Sequence, residues 1–316
     1  MVAAEGTRAF VQSAPEPRLR ARQGLAIYFG IVVLLSAVFQ VLLIETGTWV
    51  WVVPLMWSPA AASIVARLVL REGFADVSFR VGGRRGWQAI VVAVIFPIVI
   101  GLTVYGIAWM TGLARFAPRP GGLVAQLGVA SASPVAAFLV MLVAAATIGT
   151  IVGILTAAGE EIGWRGYMLT RLIDAGIPHP VLASGLIWGL WHVPIVFGAG
   201  YAAGPSPTAS ALLLVVLATA FGVVFARLRL QTGSVWPAIV LHAAWNSIIQ
   251  SAFDSARTGG DGSPLHDAAS WWVGESGVLT VIAMIIAAVV FSQGRWAIRR
   301  RPEVRHVTDV ATTDGP

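Results

Sequence analysis

Apolar residues run in eight stretches, at about 25–45, 50–70, 87–111, 135–159, 180–198, 208–228, 235–253 and 275–293, each near the roughly 20 residues a helix needs to cross a bilayer. Backbone N–H and C=O groups must be paired within the segment in lipid, so each stretch is predicted to be a helix. The expected fold class is all-α, a polytopic membrane protein of about eight transmembrane helices around a polar intramembrane cavity. The interruptions APRPGG near 117–122, GYAAGPSPT near 200–208 and RTGGDGSPLHD near 257–267 carry the Gly, Pro and Ser of turns. No internal repeat is visible, which disfavours the common secondary-carrier architectures. The chain divides into a disordered tail over 1–22, a helical membrane domain over 23–294 and a basic tail over 295–316.

Composition agrees with the pattern: 57% of residues are hydrophobic, 11% are charged and the mean hydropathy is +0.80. The formal charge is +6, and every basic residue is Arg. With the N-terminus in the cytoplasm, the inner segments hold Arg18, Arg20, Arg22, Arg71, Arg80, Arg84, Arg85, Arg165, Arg171, Arg227, Arg229 and the Arg-rich tail. Arg115, Arg119 and Arg257 fall outside. This asymmetry fits the positive-inside rule and places both termini in the cytoplasm. It also accounts for the net charge without a nucleic-acid partner, for which a separate basic module is missing. The first apolar stretch is long enough to span, so it is expected to be a retained signal anchor. The C-terminal TTDGP has no prenylation box, which leaves attachment to the lipid bilayer to the spans. Absence of Cys removes disulfides, thiolate nucleophiles and Cys-type zinc sites, so any metal needs His and carboxylate ligands.

Against this background, Glu160 and Glu161 stand out at the end of the fourth apolar stretch, in GTIVGILTAAGEEIGWRGYML. Ionisable side chains beside or within lipid are costly and mark functional sites with a partner. On a helix, Glu161 and Arg165 share a face, and Glu160 projects about 100° away. Glu161 therefore reads as a paired, structural charge and Glu160 as free for chemistry. Burial raises the pKa of a carboxylate, which is how Glu becomes a useful base near neutral pH. His192 lies in LIWGLWHVP, one turn after Trp188. His242 and Asn246, the only Asn of the chain, lie four apart in LHAAWNS. A neutral imidazole relays protons or binds metal and an Asn amide donates to an oxyanion, so this inventory suits hydrolysis of an acyl or peptide bond.

Taken singly, each cluster has a structural reading. A lone membrane His or a His/Asn pair joins helices by hydrogen bonds, and a Glu-Glu-Arg group forms an interfacial ion-pair network. Trp188, Trp191 and Trp245 read as packing residues or interfacial anchors. His179, His266 and His306 fall in expected loops or the tail and read as solvated.

In order, EEIGWRG, WGLWH and HAAWN resemble the CPBP family of intramembrane proteases, which includes the type 2 CAAX prenyl endopeptidases and bacterial proteins of bacteriocin processing and immunity. The family's EExxxR falls on Glu160, Glu161 and Arg165. Its aromatic-xxx-His falls on Trp188 and His192, with Trp in place of the commoner Phe. Its HxxxN falls on His242 and Asn246. The resemblance covers about 135–253, a protease-like core, and leaves the first three spans aside. It implies an endopeptidase in which Glu160, aided by His192, activates a water, while His242 and Asn246 stabilise the oxyanion. No cofactor is implied. The residues alone also permit Zn²⁺ on Glu160, His192 and His242, although no HExxH helix is present. The expected substrate is a peptide or membrane protein. A prenylated substrate follows from the resemblance, but an Arg-only chain without a eukaryotic sorting signal points to a bacterial plasma membrane, where such prenylation is not expected. Two other functions fit the same residues: a proton-coupled carrier using Glu160, His192 and His242, and a non-catalytic immunity or binding protein.

Depth poses a difficulty for this site. Counted from Pro134, Glu160 lies about 39 Å along its helix, while His192 lies about 18 Å from Pro180. A shared site requires the fourth helix to tilt strongly or to continue past Arg165 inside the protein, with the cavity opening to the cytoplasm.

Overall fold

In the computed structural model, residues 17–121, 133–202, 204, 206–258 and 268–293 are described. Apolar runs become helices as their length requires: α1 (Pro17–Thr46), α2 (Val52–Leu70), α3 (Gly83–Thr111), α4 (Pro134–Asp174), α5 (Pro180–Ala199) and α6 (Pro207–Thr232). These six, α2 together with the single 3-10 turn Trp49–Trp51 before it, are long and apolar enough to cross a membrane. The seventh expected span is a shorter helix, α7 (Trp236–Trp245), which runs on as a π-helix over Asn246–Phe253. The eighth is α8 (Val278–Ser292), 15 residues, below the roughly 20 of a full crossing. The fold is thus all-α and polytopic, with six full-length spans among the described residues rather than eight.

Two further boundaries move. Helix α1 begins at Pro17, so residues 17–22 are helical rather than part of a disordered tail; Pro at the start lacks the N–H that a first turn leaves unpaired. The expected tails over 1–16 and 295–316, with His306, and the loop residue His266, lie outside the described residues. The larger change is α4, which does not stop near 159 but continues to Asp174, 41 residues in all. It is α-helical over Pro134–Ala144, Thr150–Gly163 and Leu169–Asp174, with π-turns over Ala145–Gly149 and Trp164–Met168 between.

Small residues decide how α4 packs. Ala243 of α7 would lie 3.3 Å from a Cβ at Gly153, and Ala157 packs against Ile239 and Ala243. One helical face on, a Cβ at Gly159 would come within 2.7 Å of the Met56 carbonyl, and one at Gly163 would overlap Pro59 of α2. Without a hydrophobic drive between helices in lipid, such close backbone approach is what lets them associate. Ile148, Ile151, Val152 and Leu155 meanwhile stay exposed on the outside of α4, as a lipid-facing surface requires. Helices α5 and α6 meet the same way, with a Cβ at Gly222 only 2.6 Å from Gly185 Cα.

At one end of the bundle, a two-residue antiparallel ribbon pairs Arg115–Phe116 with Arg257–Thr258. At the other end, the segment between α2 and α3 folds over the end of α4. Arg171 there bonds Glu72 and Asp76 at 2.9 Å each and Asp174 at 3.0 Å. Arg67, inside the second apolar run yet fully buried, pairs with Asp76 and donates to the Gly73 carbonyl at 2.9 Å.

Candidate functional site

Continuation of α4 resolves the depth difficulty. Measured from Asp174, Glu160 lies about 21 Å along its helix, and His192 lies about 18 Å from Pro180 at the same end of the bundle. The two can therefore meet at one level. His242 comes to it from α7.

On α4, two i,i+4 pairs stand side by side just where the helix enters its second π-turn. Trp164 Nε1 donates to Glu160 Oε2 at 3.2 Å, and Arg165 Nη1 donates to Glu161 Oε1 at 2.8 Å. The π-turn is held from outside the helix: Arg67 Nη2 donates to the Gly166 carbonyl at 3.0 Å and Arg229 Nε to the Arg165 carbonyl at 3.3 Å. Single-turn π segments disturb the backbone ladder and recur at functional sites. Here the two guanidinium groups fix the turn that follows both carboxylates.

Glu160 is buried, and its Oε2 accepts a second, shorter bond from Trp188 Nε1 at 2.8 Å. One oxygen is thus occupied by two indole donors. The other, Oε1, lies 4.0 Å from His242 Nε2. Glu161 does more than pair with Arg165, because its Oε1 also contacts His242 Nδ1 at 2.9 Å. A carboxylate only accepts, so Nδ1 carries the proton and Nε2 is turned toward Glu160. Arg165 lies between two rings, 4.4 Å from Trp188 and 4.1 Å from Phe225, with Glu161 as its buried counter-charge.

His192 reaches this group through Trp188. Its Nδ1 lies 2.8 Å from the Trp188 carbonyl, which fixes the proton on Nδ1 and leaves the lone pair of the neutral ring on Nε2. The imidazole stacks on Tyr201 with centroids 5.4 Å apart and meets Trp191 edge-on at 4.8 Å. Asn246 is half-buried, one turn beyond His242 on the same helix, and its Oδ1 accepts from Gln250 Nε2 at 3.3 Å. Trp191, Tyr201, Asn246 and Gln250 are all partly exposed, so the site meets its surroundings along this flank. Among the described residues no three His, Cys, Asp or Glu side chains are arranged to hold a metal ion, Glu160, His192 and His242 included.

Glu160, Glu161, Arg165, His192 and His242 therefore gather from α4, α5 and α7 around Trp188, and Asn246, one turn beyond His242, is linked to Tyr201 through Gln250. Several partners were not foreseen. Trp188, Trp191 and Trp245 pack within the bundle as expected, but their indoles also donate, to Glu160, to Ser36 at 2.7 Å and to Glu275 at 2.6 Å. Trp164 and Gln250, each four residues after a motif residue, are legible by helical spacing. Arg67 is a charge inside an apolar run, which by itself marks a residue with a buried partner. Tyr201 and Glu275 have no such signal. His179 is exposed in the turn before α5, as expected.

Residues 131–248 match the family model described as type II CAAX prenyl endopeptidase Rce1-like, and every motif residue lies within that segment. The chain carries an Rce1-like domain. No curated protein matches it. At family level this is an intramembrane protease domain, a hydrolase acting on a peptide or protein substrate, in an integral membrane protein. The matched segment runs close to the 135–253 that carries the three motifs.

Proposed function

We propose that this Rce1-like protein is an endopeptidase in which Glu160 acts as the base on a water, without a metal ion. The observation that carries the reading is the asymmetry of the Glu160 carboxylate, with Oε2 taken by Trp164 and Trp188 and Oε1 left facing His242. Glu160 Oε1 takes a proton from the water as its oxygen bonds to the scissile carbonyl carbon. The negative charge that develops on the carbonyl oxygen is met by the Asn246 amide and by protonated His242 through Nε2–H, with Glu161 behind Nδ1 as counter-charge. Fixed donors of this kind contribute on the order of 3–4 kcal/mol each to the transition state. Collapse breaks the C–N bond, and the proton held by Glu160 passes to the leaving amine, with His192 Nε2 as its acceptor on the way. The products are a carboxylate and an amine.

The substrate is a peptide or a membrane-associated protein that enters along the Trp191–Asn246 flank. The Arg distribution supports cytoplasmic termini, a site open to the cytoplasm, a membrane domain over 23–294 and residence in a bacterial plasma membrane. A cleavage assay on an internally quenched peptide library, with farnesylated and unmodified C-termini, tests the reading. Wild type is expected to cleave, Glu160→Gln to lose cleavage, and a chelator to change nothing. Unchanged cleavage by Glu160→Gln overturns the role of Glu160; loss with chelator, restored by zinc, overturns the metal-free mechanism.

A further inference from the structure

The matched family segment ends at 248, but the hydrogen-bond network around Asn246 does not. Gln250 Nε2 donates to Asn246 Oδ1 at 3.3 Å and to the Tyr201 hydroxyl at 3.1 Å. Glu275, a buried carboxylate in the turn before α8 that accepts from Trp245 Nε1 at 2.6 Å, adds its charge to the surroundings of the same hydroxyl. Burial, together with the charges of Glu275 and Glu160, pushes the Tyr201 phenol well above its ordinary range, so it is present as the neutral hydroxyl.

The direction of this chain is set at Gln250, whose amide nitrogen faces the Tyr201 oxygen and donates one hydrogen to it. The second hydrogen of that nitrogen points at Asn246, which answers with Oδ1. Asn246 Nδ2 is thereby turned away from Gln250, and it has no other hydrogen-bond partner among the described residues.

We infer that Tyr201 and Gln250 are positioning residues that fix the amide of Asn246 with Nδ2 toward the reacting carbonyl. This rests on the endopeptidase reading above, in which Asn246 is an oxyanion donor. Without the chain, the two ends of an Asn amide are near-isosteric, and the wrong one presents a lone pair to a developing negative charge. Tyr201, stacked on His192, couples the orientation of the donor to the imidazole on the neighbouring helix.

Reversing the chain is the test. Gln250→Glu replaces the donor to Asn246 by an acceptor, so Nδ2 should turn toward residue 250. Asn246 is the only Asn in the sequence, so the full-length protein labelled with ¹⁵N-Asn in nanodiscs shows one side-chain amide. That signal should move in Gln250→Glu, with one amide proton shifted downfield. On a single quenched peptide taken from the library, kcat should fall about 100-fold with KM within about twofold, the scale of losing one oxyanion donor. In an Asn246→Ala background the same change should have no further effect. Gln250→Met, which frees the amide without reversing it, should cost about tenfold. An unmoved Asn246 signal, or a loss that multiplies with Asn246→Ala, overturns the inference. If wild type cleaves no peptide, the endopeptidase reading fails, and the amide signal still decides the orientation.

Discussion

Glu161→Gln and Glu160→Gln should separate into a folding defect and a chemical one, although the two residues are adjacent. Both partners of the Glu161–Arg165 pair are fully buried, 2.8 Å apart. Two unit charges at that distance attract by about 6 kcal/mol at an effective dielectric of about 20. Truncating one partner leaves the other charge uncompensated in the interior, a change worth about 3–5 kcal/mol in comparable pairs. Arg165 keeps its two ring contacts, worth about 2 kcal/mol at most each, which is too little to replace a counter-charge. Thermal melting of Glu161→Gln in detergent should therefore fall by on the order of 6–20 °C. Glu160→Gln keeps an acceptor for Trp164 and Trp188 and removes no ion pair at bonding distance. Its melting should stay within a few degrees while cleavage falls about 10²–10⁴-fold, the usual contribution of a general base. A Glu161→Gln protein that melts like wild type would refute the assignment of different jobs to the two carboxylates.

Trp188→Phe removes the shorter of the two bonds to Glu160 and should lower kcat about 10–100-fold, whereas Trp164→Phe, losing the 3.2 Å bond, should cost less; equal effects in the peptide assay would contradict the ranking. Arg67→Ala should destabilise the protein by about 3 kcal/mol or more in a detergent unfolding titration, because Asp76 and the Gly73 and Gly166 carbonyls lose one shared donor. Arg67→Lys should recover only part of this, since a point charge does not replace a planar fork. Gly163→Ala should cost about 1–3 kcal/mol through overlap with Pro59, while Gly153→Ala, 3.3 Å from Ala243, should cost clearly less in the same titration.

Much of the molecule was legible before any coordinates. Runs of about 20 apolar residues can satisfy their backbone in lipid only as helices, so the all-α membrane fold and the positions of α1 to α6 follow from hydropathy. Helical spacing sufficed to pair Glu161 with Arg165 and to place His242 and Asn246 on one face, because i,i+4 contacts are local. Tertiary structure alone decided the rest. The length of α4 depends on partners from α2, the segment after it, and α6: Arg67 and Arg229 bond the carbonyls of the π-turn, and Arg171 pairs with Glu72 and Asp76, so a polar stretch that reads as a loop remains helical in the interior. The bonds that give Glu160 one occupied and one open oxygen come partly from α5, and those that orient Asn246 run through Gln250 to Tyr201. Hydropathy reports what each segment buries, whereas the direction of a buried hydrogen bond is set by the donor or acceptor that packing brings to it from elsewhere in the chain.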